Sequence, residues 1–285
     1  MEQKRALVTG GARGLGRAAA LELARRGTTV AVADRRIDEA RETAAECEQI
    51  GVAAVAIELE QTDYKSASEC VERAARELGG LDMVFANAGI GKFRPFIDLS
   101  PDEWRLTMDV NLNGTFYVCQ AASRVMIREG RGGAFVLTAS SGAEFVADQL
   151  SAYCVSKAGV VMLMKQMASE LGPYRIRVTA IMPGVIETPM TSSMLREDKW
   201  RRMVERQTPM GRGGTPVDVA KVVAFLLSED AAYVNGTTIL IDGGSTLHGY
   251  PRWFSLDYSR ENESNWESLF SEYPYAAQGS YAPAD

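Results

Sequence analysis

Leu7-Val8-Thr9-Gly10-Gly11-Ala12-Arg13-Gly14-Leu15-Gly16 joins an apolar run, Arg5 to Thr9, to a helical pattern through Leu15, Ala19, Leu23 and Ala24 that stops at Gly27. Gly10, Gly14 and Gly16 therefore stand between a strand and a helix start. A dinucleotide needs that arrangement: a turn free of Cβ clashes, a backbone that approaches the pyrophosphate, and the positive end of a helix aimed at it. A tight strand-to-helix turn produces the same string on its own, so the loop needs a partner. Asp34 supplies one: it ends the second apolar run, 18 residues beyond Gly16, where a carboxylate reaches the adenosine ribose hydroxyls. The same carboxylate would repel a 2′-phosphate, so NAD is expected rather than NADP. Arg13, Arg35 and Arg36 partly offset that charge, and Asp34 also reads as a helix N-cap.

Outward from this loop, apolar runs alternate with helical patterns. Thr28 to Ala33, Val52 to Leu59, Leu81 to Ala86, Ala134 to Ala139, Ile176 to Met182 and Thr238 to Ile241 read as strands. Ile37 to Ile50, Tyr64 to Leu78, one long helix from Pro101, Tyr153 to Leu171 and Pro216 to Leu227 read as helices. Strands apolar on both faces, alternating with helices, predict an α/β fold with a parallel sheet between two helix layers. Ser100-Pro101-Asp102-Glu103 and Thr215-Pro216-Val217-Asp218 carry the signature of capping boxes at helix starts. With no internal repeat or linker, residues 1–244 read as one domain.

The chain has 285 residues, with 31 Lys plus Arg against 37 Asp plus Glu, a net charge of −6. That balance argues against nucleic-acid binding. Cys47, Cys70, Cys119 and Cys154 are widely spaced, which fits neither a metal site nor a disulfide framework. No signal peptide or membrane span is evident, so a cytoplasmic protein is expected. Residues 245–285 differ from the rest: they are rich in aromatics and carry two Arg against six acids. There Ser264-Asn265-Trp266-Glu267 reads as another capping box, and Trp266, Leu269, Phe270 and Tyr273 form one apolar stripe. Such a helix must dock, on its own subunit or on a neighbour.

Tyr153-Cys154-Val155-Ser156-Lys157 puts Tyr153 and Lys157 one helical turn apart on a single face. A phenol, with an ordinary pKa of about 10, becomes a usable acid/base when an ammonium nearby stabilises its phenolate.

Thr9-Gly10-x-x-x-Gly14-x-Gly16, Ala86-Asn87-Ala88-Gly89, Asn111, Ser140, Tyr153-x-x-x-Lys157 and Pro183-Gly184 together resemble the short-chain dehydrogenase/reductase family in order and spacing. The resemblance runs from about residue 4 to Ile241-Asp242-Gly243-Gly244. It implies a Rossmann-type, doubly wound, seven-stranded sheet, a homotetramer, and hydride transfer between a nicotinamide and an alcohol or ketone. By the same comparison Tyr153 exchanges the proton with the substrate oxygen, Lys157 holds the nicotinamide ribose and lowers the Tyr153 pKa, and Ser140 binds the substrate oxygen. Asn111 resembles the family's helix-breaking Asn, which holds a water on the proton path to Lys157; Asn113 is its decoy. Leu15 would face the pyrophosphate, Asn87 the adenosine ribose, and Ile186 and Thr188, after Pro183 and Gly184, the carboxamide. The chain departs from the family at Ala86, often Asn, and at Glu60-Gln61, often Asp-Val, beside the adenine amine.

The substrate pocket is expected from residues 91–96, 142–150 and 190–204, with Phe93, Phe145, Leu150, Met190, Met194 and Leu195 as apolar walls. Arg94, Glu144 and Gln149 are candidate polar anchors. If the tail lies at a subunit junction, it could wall off a neighbouring pocket; the only histidine, His248, falls in it. The leading expectation is thus an NAD-dependent dehydrogenase of secondary alcohols. The alternatives are an NADP-dependent carbonyl or 3-oxoacyl reductase and, in another class, a non-catalytic NAD-binding sensor or scaffold.

Overall fold

In a computed structural model, residues 3–247 are described. The expected tail helix and His248 lie outside the described residues. Seven strands form one sheet: β1 (Arg5–Thr9), β2 (Thr29–Asp34), β3 (Ala54–Glu58), β4 (Met83–Ala86), β5 (Gly133–Thr138), β6 (Ile176–Pro183) and β7 (Thr238–Ile241). Their order is β3-β2-β1-β4-β5-β6-β7 and every pairing is parallel. The chain therefore starts at the middle of the sheet, winds to one edge, and crosses back to β4. That reversal opens a crevice at the carboxyl ends of β1 and β4, the place where such sheets bind ligands.

The strands are apolar on both faces because both are covered. Leu7, Ala31, Val84 and Phe135 pack on one side with residues of α3 (Tyr64–Leu78), α5 (Gly114–Glu129) and α6 (Ser151–Leu171). Ala6, Val8, Val32 and Phe85 pack on the other with residues of α1 (Gly14–Arg25), α2 (Ile37–Ile50) and α9 (Pro216–Leu227). Register places Val8 between Val32 and Phe85, all fully buried. Each such large apolar side chain contributes about 1.5–3 kcal/mol relative to exposure. Both expected capping boxes form, at Ser100–Glu103 and Thr215–Asp218. All four cysteines are free thiols. No described helix is long and apolar enough to cross a membrane.

Several boundaries differ from the sequence reading, and three of the differences have a visible cause. β3 begins at Ala54, not Val52, because Val52 donates its N–H to Cys47 O and finishes the helix before it, beyond a left-handed Gly51. β4 begins at Met83, not Leu81: the Leu81 N–H is taken by the Glu129 carboxylate, and Asp82 binds the Arg5 guanidinium. The single long helix expected from Pro101 is interrupted. α4 (Pro101–Met108) gives way to a π turn over Asp109–Asn113 before α5 resumes at Gly114. Two further helices, α7 (Ser192–Leu195) and the highly charged α8 (Asp198–Gln207), fill the connection after β6.

Candidate active site

The glycine loop is shaped as its sequence requires. Gly10 and Gly14 sit at positive φ, +62° and +57°. A Cβ on Gly16 would lie 2.1 Å from the Gly10 carbonyl oxygen, so only glycine lets the first turn of α1 pass. The loop is tied to the end of β4: Asn87 and Ala88 donate their N–H groups to Thr9 Oγ1, and Asn87 Nδ2 donates to the carbonyls of Thr9 and Gly10. Thr138 Oγ1 in turn donates to Asn87 Oδ1. Asn87 therefore braces the loop and also lines the groove.

Asp34 ends β2 at the rim of the same groove, its carboxylate oriented by the N–H groups of Ala12 and Arg36, at 3.2 and 3.0 Å. The bond to Arg36 N–H is a local turn contact and Asp34 is not the helix cap, since α2 has Arg36 at its N-cap; Asp34 lines the groove. Arg36 pairs with Glu39, whereas Arg13 and Arg35 line the groove with no partner among the described residues. Glu60 also lines it, accepting from Thr62, and so does Gln61, whose side chain is almost fully buried. At the far end come Pro183, Gly184, Ile186 and Thr188; Thr191 Oγ1 fixes that turn by donating to the Ile186 carbonyl at 2.6 Å. The groove runs from a carboxylate at one end, over a helix N-terminus and glycine backbone, to a buried amine at the other. That donor set fits a nicotinamide dinucleotide.

The catalytic candidates converge at that other end. Tyr153, Ser140 and Lys157 line the groove together, and Ser140 Oγ and the Tyr153 ring lie 3.5 and 3.9 Å from where a Cβ on Gly142 would stand. Lys157 is almost fully buried and donates from Nζ to the Thr138 carbonyl at 2.7 Å. Asn111 sits in the π turn, fully buried. Its Oδ1 accepts the Ile90 N–H at 2.8 Å, and its Nδ2 donates to the Ile90 carbonyl and to Ser156 Oγ. Ser156 donates to the Tyr153 carbonyl. A Cβ on Gly89 would be 3.2 Å from Asn111 Oδ1 and 3.3 Å from Lys157 Nζ, so the absence of a side chain there lets the two groups face one another. Asn113, by contrast, bonds Asp109 at the exposed side.

One expectation is corrected. Lys157 does not lower the Tyr153 pKa in this arrangement. Burial pushes the phenol above its ordinary value, and the Ser140 hydroxyl only partly opposes it. Burial also pulls the Lys157 ammonium down to about 8. The amine is held on the Thr138 carbonyl, 5.7 Å from the Tyr153 ring centre, and desolvation is the largest cause acting on each group.

The substrate candidates separate. Met190 lines the groove, its Sδ near Gly91 and so near the Tyr153 ring. Arg94, Glu144 and Gln149 are exposed and outside the lining. The Arg94 guanidinium is committed to Glu103, and the Arg94 backbone N–H donates to the Gln149 carbonyl at 2.7 Å, stitching the two mouth loops together. Gln149 adopts a left-handed φ of 65° in that stitch. Sequence reasoning missed Thr9, Thr138 and Ser156. Ser156, three residues after Tyr153, had a helical spacing that was legible; the other two act through partners distant along the chain.

A family model described as enoyl-(acyl carrier protein) reductase matches residues 10–246. The chain is 38% identical over 245 residues to an L-rhamnose 1-dehydrogenase (NAD(P)(+)) of Sphingomonas sp. (strain SKA58), covering 86% of this chain and 96% of that one. It is 37% identical to 3beta-hydroxysteroid dehydrogenase 1 of Eggerthella lenta, covering 87% and 95%. Among solved structures, a short-chain type dehydrogenase/reductase from Mycobacterium marinum superposes with a TM-score of 0.82 at 36% identity, covering 86% and 96%.

Proposed function

The chain belongs to the short-chain dehydrogenase/reductase family, and from that premise we propose that it is an NAD-dependent dehydrogenase of secondary alcohols carried on an apolar, ring-built frame. The broader activity, hydride transfer between a nicotinamide coenzyme and an alcohol or ketone, follows from its relatives. The observation that carries the finer reading is the convergence of Tyr153, Ser140 and Lys157 on one groove whose opposite end is Asp34.

Bound in the groove, the nicotinamide supplies the hydride acceptor. Tyr153 takes the hydroxyl proton of the alcohol, and Ser140 holds the substrate oxygen through the change in charge. Lys157, anchored to Thr138, keeps its remaining N–H groups for the coenzyme ribose and for a proton path past Asn111. The raised phenol pKa disfavours proton removal at neutrality, so oxidation quickens as pH rises. Asp34 supports NAD, because a 2′-phosphate would meet its carboxylate. Arg13 and Arg35, unpaired among the described residues on the same lining, favour a second reading in which NADP is also accepted.

The apolar frame is supported by exposed Phe93, Phe96, Phe145 and Met190 on the segments around the mouth. A relative named as a hydroxysteroid dehydrogenase is consistent with it. The relatives named as rhamnose dehydrogenases favour a sugar instead. Exposed Phe116, Val155 and Met162 on α5 and α6 support the expected homotetramer, which light scattering tests. The deciding assay follows reduced nicotinamide by absorbance, with NAD and NADP each against alicyclic alcohols, a hydroxysteroid, L-rhamnose and a 3-oxoacyl thioester. Fastest turnover of alicyclic alcohols with NAD is the expected result. Preference for L-rhamnose would refute the apolar frame, and coenzyme binding without any turnover would favour a sensor.

A further inference from the structure

Gln61 is a long polar side chain that is 6% exposed, in a loop that follows β3. Its amide reaches across the groove floor: Nε2 donates to the Val110 carbonyl at 2.8 Å and to the Ala88 carbonyl at 3.3 Å. Val110 lies in the π turn directly before Asn111, and Ala88 lies two residues before Ile90, to which Asn111 makes both of its backbone bonds. A π turn is one residue wider than an α turn and turns its carbonyls towards outside partners. Here two accept side-chain donors, Val110 O from Gln61 and Asn111 O from Thr115. The neighbouring helix is cut to fit: a Cβ on Gly114 would lie 2.3 Å from Gln61 Cγ and 2.6 Å from its carbonyl oxygen. No described residue donates to Gln61 Oε1, and the residue lines the groove beside Glu60.

We propose that Gln61 is a positioning residue for Asn111: by holding the Val110 and Ala88 carbonyls with one amide, it joins the adenine end of the groove to the proton-path end as one rigid unit. The role of Asn111 in proton transfer rests on the dehydrogenase reading; the bracing itself does not. Removing the donors leaves two carbonyls short of a partner and frees the π turn to relax towards α, which moves Asn111 off Ile90.

Amide hydrogen exchange on the full chain tests this without substrate or coenzyme. Gln61→Met keeps the side-chain length and removes both donors. The Ile90 amide and those of residues 109–115 are expected to exchange about tenfold faster, the effect of one lost hydrogen bond, while those of β2 and β6 are unchanged. In an Asn111→Ala background, where Ile90 has already lost its acceptor, adding Gln61→Met should change Ile90 exchange by less than about twofold. Should Gln61→Met fail to fold, Gly114→Ala displaces Gln61 from the other side and is read at the same amide. Unchanged protection at Ile90, an equal loss across the whole sheet, or the same acceleration in the Asn111→Ala background would overturn the proposal.

Discussion

The two ends of the groove are built on different terms. At the coenzyme end, buried polar side chains are cross-bonded: Thr9 to Asn87 and Ala88, Gln61 to Val110 and Ala88, Asn111 to Ile90 and Ser156. Gly10 and Gly16 there have no room for a Cβ, and Gly14 is held by its positive φ. At the mouth, Phe93, Phe96 and Val146 are 62, 76 and 94% exposed, and the tie between its loops is the Arg94 to Gln149 backbone stitch, with the Arg94 to Glu103 pair beside it. One end is shaped to an unvarying molecule, and its constraints are written into the backbone. The other presents adaptable apolar surface, where a change alters selectivity before it alters the fold.

That contrast can be broken in several places, beginning with the largest effect. Gly16→Ala drives a Cβ to 2.1 Å from Gly10 O; the loop must open, and dinucleotide affinity measured by calorimetry should vanish, with a stability loss of about 1–3 kcal/mol. Retained affinity would mean the loop is softer than its geometry. Asp34→Ala should narrow the ratio of kcat/KM for NAD over NADP by at least about tenfold, a change of ~1.4 kcal/mol, and an unmoved ratio would assign selectivity elsewhere.

A third test uses the buried amine. Lys157 is near 8 when folded and 10.5 when unfolded, so from about pH 8 to 10.5 the unfolded chain binds the extra proton. Stability from this group therefore rises with pH across that window. Above pH 10 the raised Tyr153 acts with the opposite sign, because the folded chain then keeps the proton longer. Denaturant midpoints at stepped pH should show the Lys157 slope, and Lys157→Met should flatten it. The smallest effect belongs to the mouth: Phe96→Ser should leave the melting midpoint nearly unchanged, within about 0.5 kcal/mol, yet raise KM for apolar alcohols.

The same contrast explains what could be read from the chain alone. The sheet was legible because β1, β2, β5 and β6 are continuous apolar runs between turn signals. The glycine loop, Asp34, Tyr153 and Lys157 were legible because their chemistry depends on local spacing. The π turn was not legible in the periodicity, since Asp109–Asn113 continues the helical pattern on both sides; only the resemblance, through a helix-breaking Asn111, pointed to a break there. Nor was the Tyr153 pKa: spacing places an ammonium one turn away, but the Thr138 carbonyl, 19 residues back, decides where that ammonium points. Arg94 drew attention as a candidate polar anchor, and Glu103, in a separate helix cap, claims its guanidinium.

The account stands most directly on Tyr153→Phe, with NAD binding and alcohol oxidation measured on the same preparation. The phenyl ring keeps the groove wall and loses the proton carrier. The expected result is NAD affinity within about twofold of the unaltered chain, with turnover lower by roughly 10²–10⁴-fold. Turnover within a few-fold of the unaltered chain, at unchanged affinity, would contradict the assignment of Tyr153 as the acid/base.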